Sequence, residues 1–378
     1  MTATPLLGHT VPISADRAPQ LSRVALFRIG ISTRLIRTRH WEFWPTWVIY
    51  LPLWPYIFWL AFRHRSISTC TACNPKIPLG GMVGESKWQI LRNLPSSFII
   101  PTALIEPSLI EQRVAMLETI MRERGWSFPI ILKPDVGERG AGVRLIDSLR
   151  RAREYLTTEQ DVVLAQVYHP GPYEAGIFYL RSPDHPKGRI FSITDKRFAA
   201  ISGDGRSSIR TLIHLHPRYS TQANVFLRRL GPRADRVPEH GEVVPLGIAG
   251  NHCQGAMFLD GEHLITQQLE LAIDRIAQSG DEFYFGRFDV RYTDPEEFRN
   301  GRGFQIIELN GLLSESTNIY DPAMPFWRAQ RILRDQWRWA YLIGAANRAR
   351  GVPVPSWRQV RELIFRADDR SAEQLDSD

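Results

Sequence analysis

Phe43 to Phe62 (FWPTWVIYLPLWPYIFWLAF) runs for twenty residues without a charged side chain, and this run limits the fold more than any other feature of the 378-residue chain. Twenty apolar residues are just enough to cross a bilayer as one helix. Five of the eleven tryptophans lie between Trp41 and Trp59, and Trp and Tyr favour the headgroup level of a membrane. Pro52 and Pro55 remove backbone donors from the middle of the run, which favours a kinked or re-entrant segment over a straight span. Arginines stand on both sides, Arg34, Arg37 and Arg39 before and Arg63 and Arg65 after, so the charge is best accommodated with both ends on the cytoplasmic face of the cell membrane. The expectation is a membrane-associated segment at 43–65, re-entrant or single-span, with a basic segment at 1–42 before it and a linker at 66–83 after it. A tryptophan-rich core element is the competing reading of the same pattern. No small-residue cleavage site follows the run, unlike a secretory signal.

The net charge of +7 belongs to the same region. The first seventy residues hold eight arginines against Asp16 and Glu42, so the remaining chain is close to neutral. A neutral body with a basic N-terminus is not the footprint of a nucleic-acid-binding surface, and no nucleic-acid partner is expected. Three cysteines exclude a disulfide scaffold. Cys70 and Cys73 form a C-x-x-C with no second pair or histidines at zinc-ligand spacing, and they read as thiols without a metal. Cys253 in NHCQG reads as a small buried residue rather than a nucleophile.

Beyond residue 80 helical and strand patterns alternate, with no repeat. Helices are expected over Glu85–Leu94, over Pro107–Arg124 with a Ser108/Glu111 capping box and Gly125 as its stop, over Arg150–Leu156, from Ser207, over Gln267–Gln278 and over Pro322–Arg350. Strands are expected at Ser97–Pro101, Pro129–Lys133, Val143–Ile146, Val162–Val167, Ala175–Leu180, Arg189–Thr194, Tyr284–Tyr292 and Phe304–Asn310. The fold class is α+β.

Of 47 basic residues only five are lysine: Lys76, Lys87, Lys133, Lys187 and Lys196. A chain that uses arginine so heavily keeps lysine where a compact, flexible ammonium is wanted, and phosphate oxygens beside a metal are one such place. Lys133 ends an apolar strand and leads into a loop with Gly137, Gly140 and Gly142; successive N–H groups of a glycine-rich turn can make an anion nest under a flexible flap. Further on, Arg287 and Asp289 of GRFDVRY are two apart and share a face. By the same rule Phe304, Ile306, Glu308 and Asn310 of FQIIELN share one. Acids on an otherwise apolar face are costly unless compensated. Asp289, Glu308 and Asn310 suit either a hard cation such as magnesium or a network of ion pairs with arginine.

These residues stand in an order that resembles the ATP-grasp superfamily. Lys87 in GESKWQIL, Lys133 in PIILKPDVGERGAGV, Gln166 and Glu174 in LAQVYHPGPYE, Lys196 in ITDKRF, then GRFDV and IIELNG are most similar to the D-alanine–D-alanine ligase-like carboxylate–amine ligases, over about residues 84–320. SGDGRSSIRTLI and EVVPLGIAGNHCQGA also resemble segments of the cyanophycin synthetase and glutathione-forming branches. The resemblance implies an ATP-grasp fold of two α+β subdomains around ATP at 84–320, with 321–378 as a C-terminal helical extension. It implies Lys87 and Lys133 on the α- and β-phosphates, the 137–142 loop as a lid, Gln166 and the following backbone at Val167 on adenine, Glu174 on the ribose hydroxyls and Lys196 on the triphosphate. Asp289, Glu308 and Asn310 would hold one or two magnesium ions, for which manganese can substitute, and Arg287 would face an acyl phosphate.

The implied activity is an ATP- and magnesium-dependent ligase that joins a carboxylate to an amine through an acyl phosphate. The substrates would be small or lipid-linked molecules met at the membrane surface. Two departures separate this chain from peptide-forming members: only about twenty residues separate Arg65 from Lys87 where they carry a complete substrate domain, and NGLLSESTNIYDP replaces their small-residue turn. A kinase acting on a hydroxyl and a non-catalytic nucleotide-binding protein at the membrane are the alternative readings. A chain beginning near Gly80 is expected to fold and bind ATP by itself.

Overall fold

The computed structural model describes residues 30–31, 33, 35–82, 85–137, 142–247, 250, 255–280, 282–356, 358–360 and 362. In chain order its main helices are α1 (Thr46–Tyr50), α2 (Trp54–Arg63), α3 (Lys87–Leu91), α4 (Ile110–Arg124), α5 (Leu149–Thr158), α6 (Ile209–Leu215), α7 (Ala223–Leu230), α8 (Gln267–Ser279), α9 (Pro295–Arg299) and α10 (Phe326–Ala349). The strands are β1 (Thr102–Ile105), β2 (Ile130–Pro134), β3 (Arg144–Ile146), β4 (Val163–Val167), β5 (Tyr173–Leu180), β6 (Arg189–Arg197), β7 (Ala200–Ser202), β8 (Val243–Pro245), β9 (Met257–Asp260), β10 (Phe285–Tyr292) and β11 (Phe304–Asn310). The class is mixed α and β, as the alternating pattern predicts.

The chain divides into two compact units, one of residues 1–39 with 199–248 and one of 40–198 with 249–378. The smaller unit pairs β7 with β8 and closes a core of its own from Ile201, Ile209, Ile213, Phe226 and Val244. Ser208 caps α6 by accepting from the Thr211 N–H.

The larger unit contains two antiparallel sheets. The four-stranded one runs β1-β4-β2-β3, with α4 and α5 covering a core of Ile105, Val114, Leu117, Ile130 and Leu132. The five-stranded one runs β11-β10-β5-β6-β9. One face of this sheet (Ala175, Ile177, Ile193, Phe288, Val290) packs with Leu269, Ile273 and Ile276 of α8. Period-two alternation then turns the other residues of β5, β6 and β10 to the opposite face, and these include nearly all the polar side chains of interest.

Several local expectations are corrected. Ser97–Pro101 is not a strand: Ile99 alone bridges to Ile306, and the pairing strand begins at Thr102, beyond Pro101. Helix α4 starts at Ile110 with Leu109 as N-cap and no side-chain cap bond, so the Ser108/Glu111 box does not form.

The apolar run is also corrected. Among the described residues no helix is long and apolar enough to cross a membrane. The run breaks at Leu51–Leu53, where Pro52 has no N–H to give, and restarts as α2 with Pro55 in its first turn, where a missing N–H costs nothing. Ile49, Leu53, Ile57 and Leu60 are buried with Leu333, Ala340 and Ile343 of α10 and with Phe178 and Phe285 of the large sheet. Polar contacts fix the same packing: the Trp41 indole N–H donates to the Met324 carbonyl at 2.9 Å and the Gln330 amide donates to the Ile49 carbonyl at 2.9 Å. The 43–62 segment thus packs one side into the core, and a single span there is not supported among the described residues.

Candidate functional site

The site is built where the polar face of the large sheet meets β2 and β4 of the small one. On the large sheet, register sets the neighbours: Glu174 of β5 lies opposite Lys196 of β6 and Arg291 of β10, Gly176 opposite Asp289, and Asp289 opposite Glu308 of β11. The ion pairs follow from that register. The Lys196 ammonium is 3.0 Å from Glu174 Oε1 and 3.0 Å from Asp289 Oδ1, and Arg291 Nε is 3.0 Å from Glu174 Oε2. Arg287 takes both oxygens of Asp289, at 2.9 and 3.3 Å, and donates to the Glu315 carbonyl at 2.9 Å. Gly176 leaves room for this: a Cβ there would stand 3.0 Å from Arg287 Cδ and 3.1 Å from Asp289 Oδ1.

A bulge at Ile307 decides which way β11 presents its polar residues. Val290 pairs with Ile306 and Asp289 with Glu308, so Ile307 has no partner. The expectation that Glu308 and Asn310 share a face with Phe304 and Ile306 is therefore wrong. Leu309 takes the core side after the extra residue, and Glu308 and Asn310 turn to the polar face. The bulge also leaves the Ile307 carbonyl to accept from Lys133 Nζ at 3.1 Å and Gln166 Nε2 at 3.3 Å, tying the two sheets together.

Electrostatics sort these groups. Burial pushes the Lys196 pKa down, but the Asp289 and Glu174 carboxylates outweigh it and hold it above the ordinary lysine range. Burial pushes Asp289 up, while Arg287 and Lys196 outweigh that and hold it below the usual carboxylate range. For Lys133 burial dominates and its pKa falls, with Glu308, Asp289 and Glu174 opposing. Lys133 has only neutral hydrogen-bond partners, Gln166 Oε1 at 3.2 Å and the Ile307 carbonyl. It is a buried cation, and among the described residues no carboxylate is in ion-pair contact with it.

The remaining sequence-predicted residues are placed as follows. Lys87 donates to the Asp135 and Gly137 carbonyls at 3.2 and 2.6 Å, so it sits on the loop after β2. Gly142 closes that loop with a positive φ of 66°, and a Cβ there would meet Pro134 at 2.8 Å. Gly140 and Cys253 lie outside the described residues. Gln166 also donates to Thr102 Oγ1, and the Val167 N–H is already taken by the Pro101 carbonyl at 3.0 Å. Asn310 donates to Asp289 at 3.4 Å through its amide nitrogen, leaving its oxygen to accept.

Glu308 is half-buried and forms no hydrogen bond or ion pair with the described residues. Two carboxylates directly opposite each other on neighbouring strands repel. Asp289 is paired with Arg287 and Lys196, whereas Glu308 has no close ion pair among the described residues and acts on Lys133 and Arg287 only at longer range. Glu308, the Asn310 oxygen and the shared Asp289 thus form an all-oxygen set that fits a hard divalent cation, with its other positions filled by phosphate or water. Among the described residues no group of three His, Cys, Asp or Glu side chains comes together to hold a metal. Cys70 and Cys73 are buried free thiols, and burial pushes the Cys70 pKa to about 12, unsuitable for a nucleophile.

Sequence reasoning missed several members. Arg291 was within reach, two residues beyond Asp289 on the same face. Asp135 binds the Trp88 N–H at 2.9 Å. Gly250 lies so close to the acids that a Cβ would be 2.1 Å from Glu174 Oε1. Glu315, which accepts from the Tyr50 and Tyr320 hydroxyls at 2.6 and 2.8 Å, joins the apolar run to the site, a long-range contact with no local signal.

No family model matches the chain, and no curated protein matches it. Solved structures do. A bifunctional glutathione synthetase from Pasteurella multocida aligns at 16% identity and TM-score 0.35, over 67% of this chain and 35% of that one. The D-cycloserine synthetase DcsG aligns at 12% and 0.37, over 67% and 70%. The VanG D-Ala:D-Ser ligase from Enterococcus faecalis aligns at 14% and 0.33, over 64% and 57%. This chain spans about a third of the length of the first of them.

Proposed function

We propose that the larger unit is an ATP- and magnesium-dependent ligase that joins a carboxylate to an amine through an acyl phosphate. The observation that carries the reading is the pairing of Asp289 with Glu308 across β10 and β11, within a cluster that draws Lys133 from one sheet and Lys196 and Arg287 from the other. Cations from two sheets around an all-oxygen donor set suit a polyphosphate and its metal.

In this reading Lys133 exchanges its neutral partners for phosphate oxygens, which relieves the burial that depresses its pKa. Lys196 and Arg287, held charged by Asp289, screen the phosphoryl group as its charge redistributes. Asp289, Glu308 and Asn310 would hold magnesium, which would supply further charge neutralisation. A carboxylate oxygen bonds to the terminal phosphorus, the bond to the bridging oxygen breaks and ADP leaves. The amine nitrogen then bonds to the acyl carbon, inorganic phosphate departs with the electron pair and the surplus proton passes to water. The side chains position and stabilise charge, and none forms a covalent bond.

The test is ADP release with magnesium across carboxylate and amine pairs, with the product read by mass spectrometry. An amide is expected, and a phosphoester would make the chain a kinase instead. Glu308→Gln keeps the shape and removes a charge facing the cation; turnover should fall by about two powers of ten. Turnover equal to the parent's would sink the metal assignment.

A further inference from the structure

The apolar run has two sides, and the core uses one of them. Ile49, Leu53, Ile57 and Leu60 are buried, while Trp47, Leu51, Trp54, Phe58 and Phe62 are exposed, Phe62 at 85% and Trp47 at 68%. The exposed set recurs at spacings of four, three, four and four, so it forms one stripe along α1 and α2 that survives the break between them. Trp54 and Phe58 stack at 5.9 Å. Scattered exposed apolar residues are ordinary on a folded protein, but a contiguous aromatic stripe of this length marks a surface that meets something.

The neighbouring surface is basic. On α10, Trp327, Arg331, Arg334 and Arg338 are exposed and share a stripe by the same spacing. Arg334 sits over the Tyr56 ring at 4.6 Å, and Tyr56 stacks on Trp59 at 5.6 Å, so the basic stripe borders the aromatic one. No acidic residue occurs from 43 to 65. None of Arg63, Arg331, Arg334 and Arg338 forms an ion pair with the described residues.

We propose that this aromatic and arginine face docks on an anionic phospholipid bilayer, with α1 and α2 lying in the plane of the surface. Trp and Phe enter the headgroup and upper acyl region, and the arginines reach lipid phosphates with their stems along the apolar boundary. A second copy of this chain fits less well, because a twofold contact through the patch would bring its own arginines together. The core packing of the opposite side explains why the segment rests on the membrane rather than crossing it. The inference does not depend on the ligase reading, since none of these residues touches the site.

The experiment is co-sedimentation of the full chain with phosphatidylcholine vesicles containing about one third phosphatidylglycerol, against pure phosphatidylcholine. Binding should be stronger to the anionic vesicles, with the fraction held by apolar insertion surviving high salt, which screens charge alone. Replacing Trp54, Phe58 and Phe62 together by Ser should lower partitioning at least ~10-fold, from the apolar area no longer transferred. The thermal midpoint should not fall, because these side chains lie outside the core. Arg331→Gln with Arg334→Gln should weaken binding to anionic vesicles several-fold and leave neutral vesicles unaffected. The proposal is overturned if the chain stays in the supernatant with both vesicle types, or if the triple variant sediments as the parent does. It is equally overturned if the triple variant abolishes a concentration-dependent dimer while neither protein binds vesicles.

Discussion

At the scale of residues, the site is a balance among buried charges, and Asp289 is its centre. Both of its oxygens are engaged by Arg287, Oδ1 also lies 3.0 Å from Lys196, and the Asn310 amide approaches Oδ2. Its pKa is held below the usual range because the two cations outweigh burial. A carboxyl with a depressed folded pKa contributes stability that is fully present above the unfolded value and is lost as pH falls through the folded one. Asp289→Asn should therefore be less stable than the parent at neutral pH by about 3–5 kcal/mol, since it leaves two buried cations undercompensated. The gap should narrow below about pH 4, the unfolded pKa of aspartate, as the parent's own carboxyl takes up a proton. Urea midpoints from neutral pH down to acid decide this, and a gap unchanged across the range would mean that shape rather than charge is lost. The identities of these residues were legible in the sequence because each sits in a short motif on a period-two strand. Their partners were not. Asp289 offered a choice between metal and arginine, and the fold sets Arg287 and Lys196 against it.

At the scale of elements, local pattern located most helices and strands but could not see where elements change direction. The bulge at Ile307 moves Glu308 and Asn310 to the opposite face from the one simple alternation assigns, and nothing in FQIIELN marks it. Ser97–Pro101 has the composition of a strand, yet pairing starts only at Thr102, because the partner β4 extends in that direction. Element contacts carry a prediction of their own at α10. Gly344 faces the 3₁₀ segment Ile67–Cys73, and a Cβ on it would lie 2.1 Å from the Thr69 carbonyl oxygen. Alanine in mid-helix would ordinarily gain about 1 kcal/mol over glycine. Here it must force two backbones apart, and such overpacking costs about 1–3 kcal/mol or more. Gly344→Ala should lower the urea midpoint with the slope unchanged. A raised midpoint would mean that the helix and the 67–73 segment separate without strain.

At the scale of the whole molecule, the charge-free run shows why composition alone misleads. Charge-free length, tryptophans and flanking arginines are membrane signals, but the same residues also suit a core wedge, and the packing against α10 shows that one side of the run is core. The run and the residues after it are structural parts of the larger unit. Asn74 makes this concrete: its amide donates to the Gly80 and Phe285 carbonyls, and its oxygen accepts from the Tyr284 and Phe285 N–H groups at 2.9 and 3.0 Å. A chain beginning at Gly80 would lose that set, leaving two strand-end N–H groups buried without acceptors. It would also lose Ile49, Leu53, Ile57 and Leu60 from the core, at about 1.5–3 kcal/mol each and so roughly 6–12 kcal/mol together. That is the size of an ordinary domain's entire stability, about 5–15 kcal/mol. The expectation that such a chain folds and binds ATP is therefore reversed: it should lack a cooperative thermal transition and a near-ultraviolet circular dichroism signal. Cooperative unfolding of the shortened chain, with ATP raising its midpoint, would show instead that residues before Gly80 are an appendage to a core complete without them.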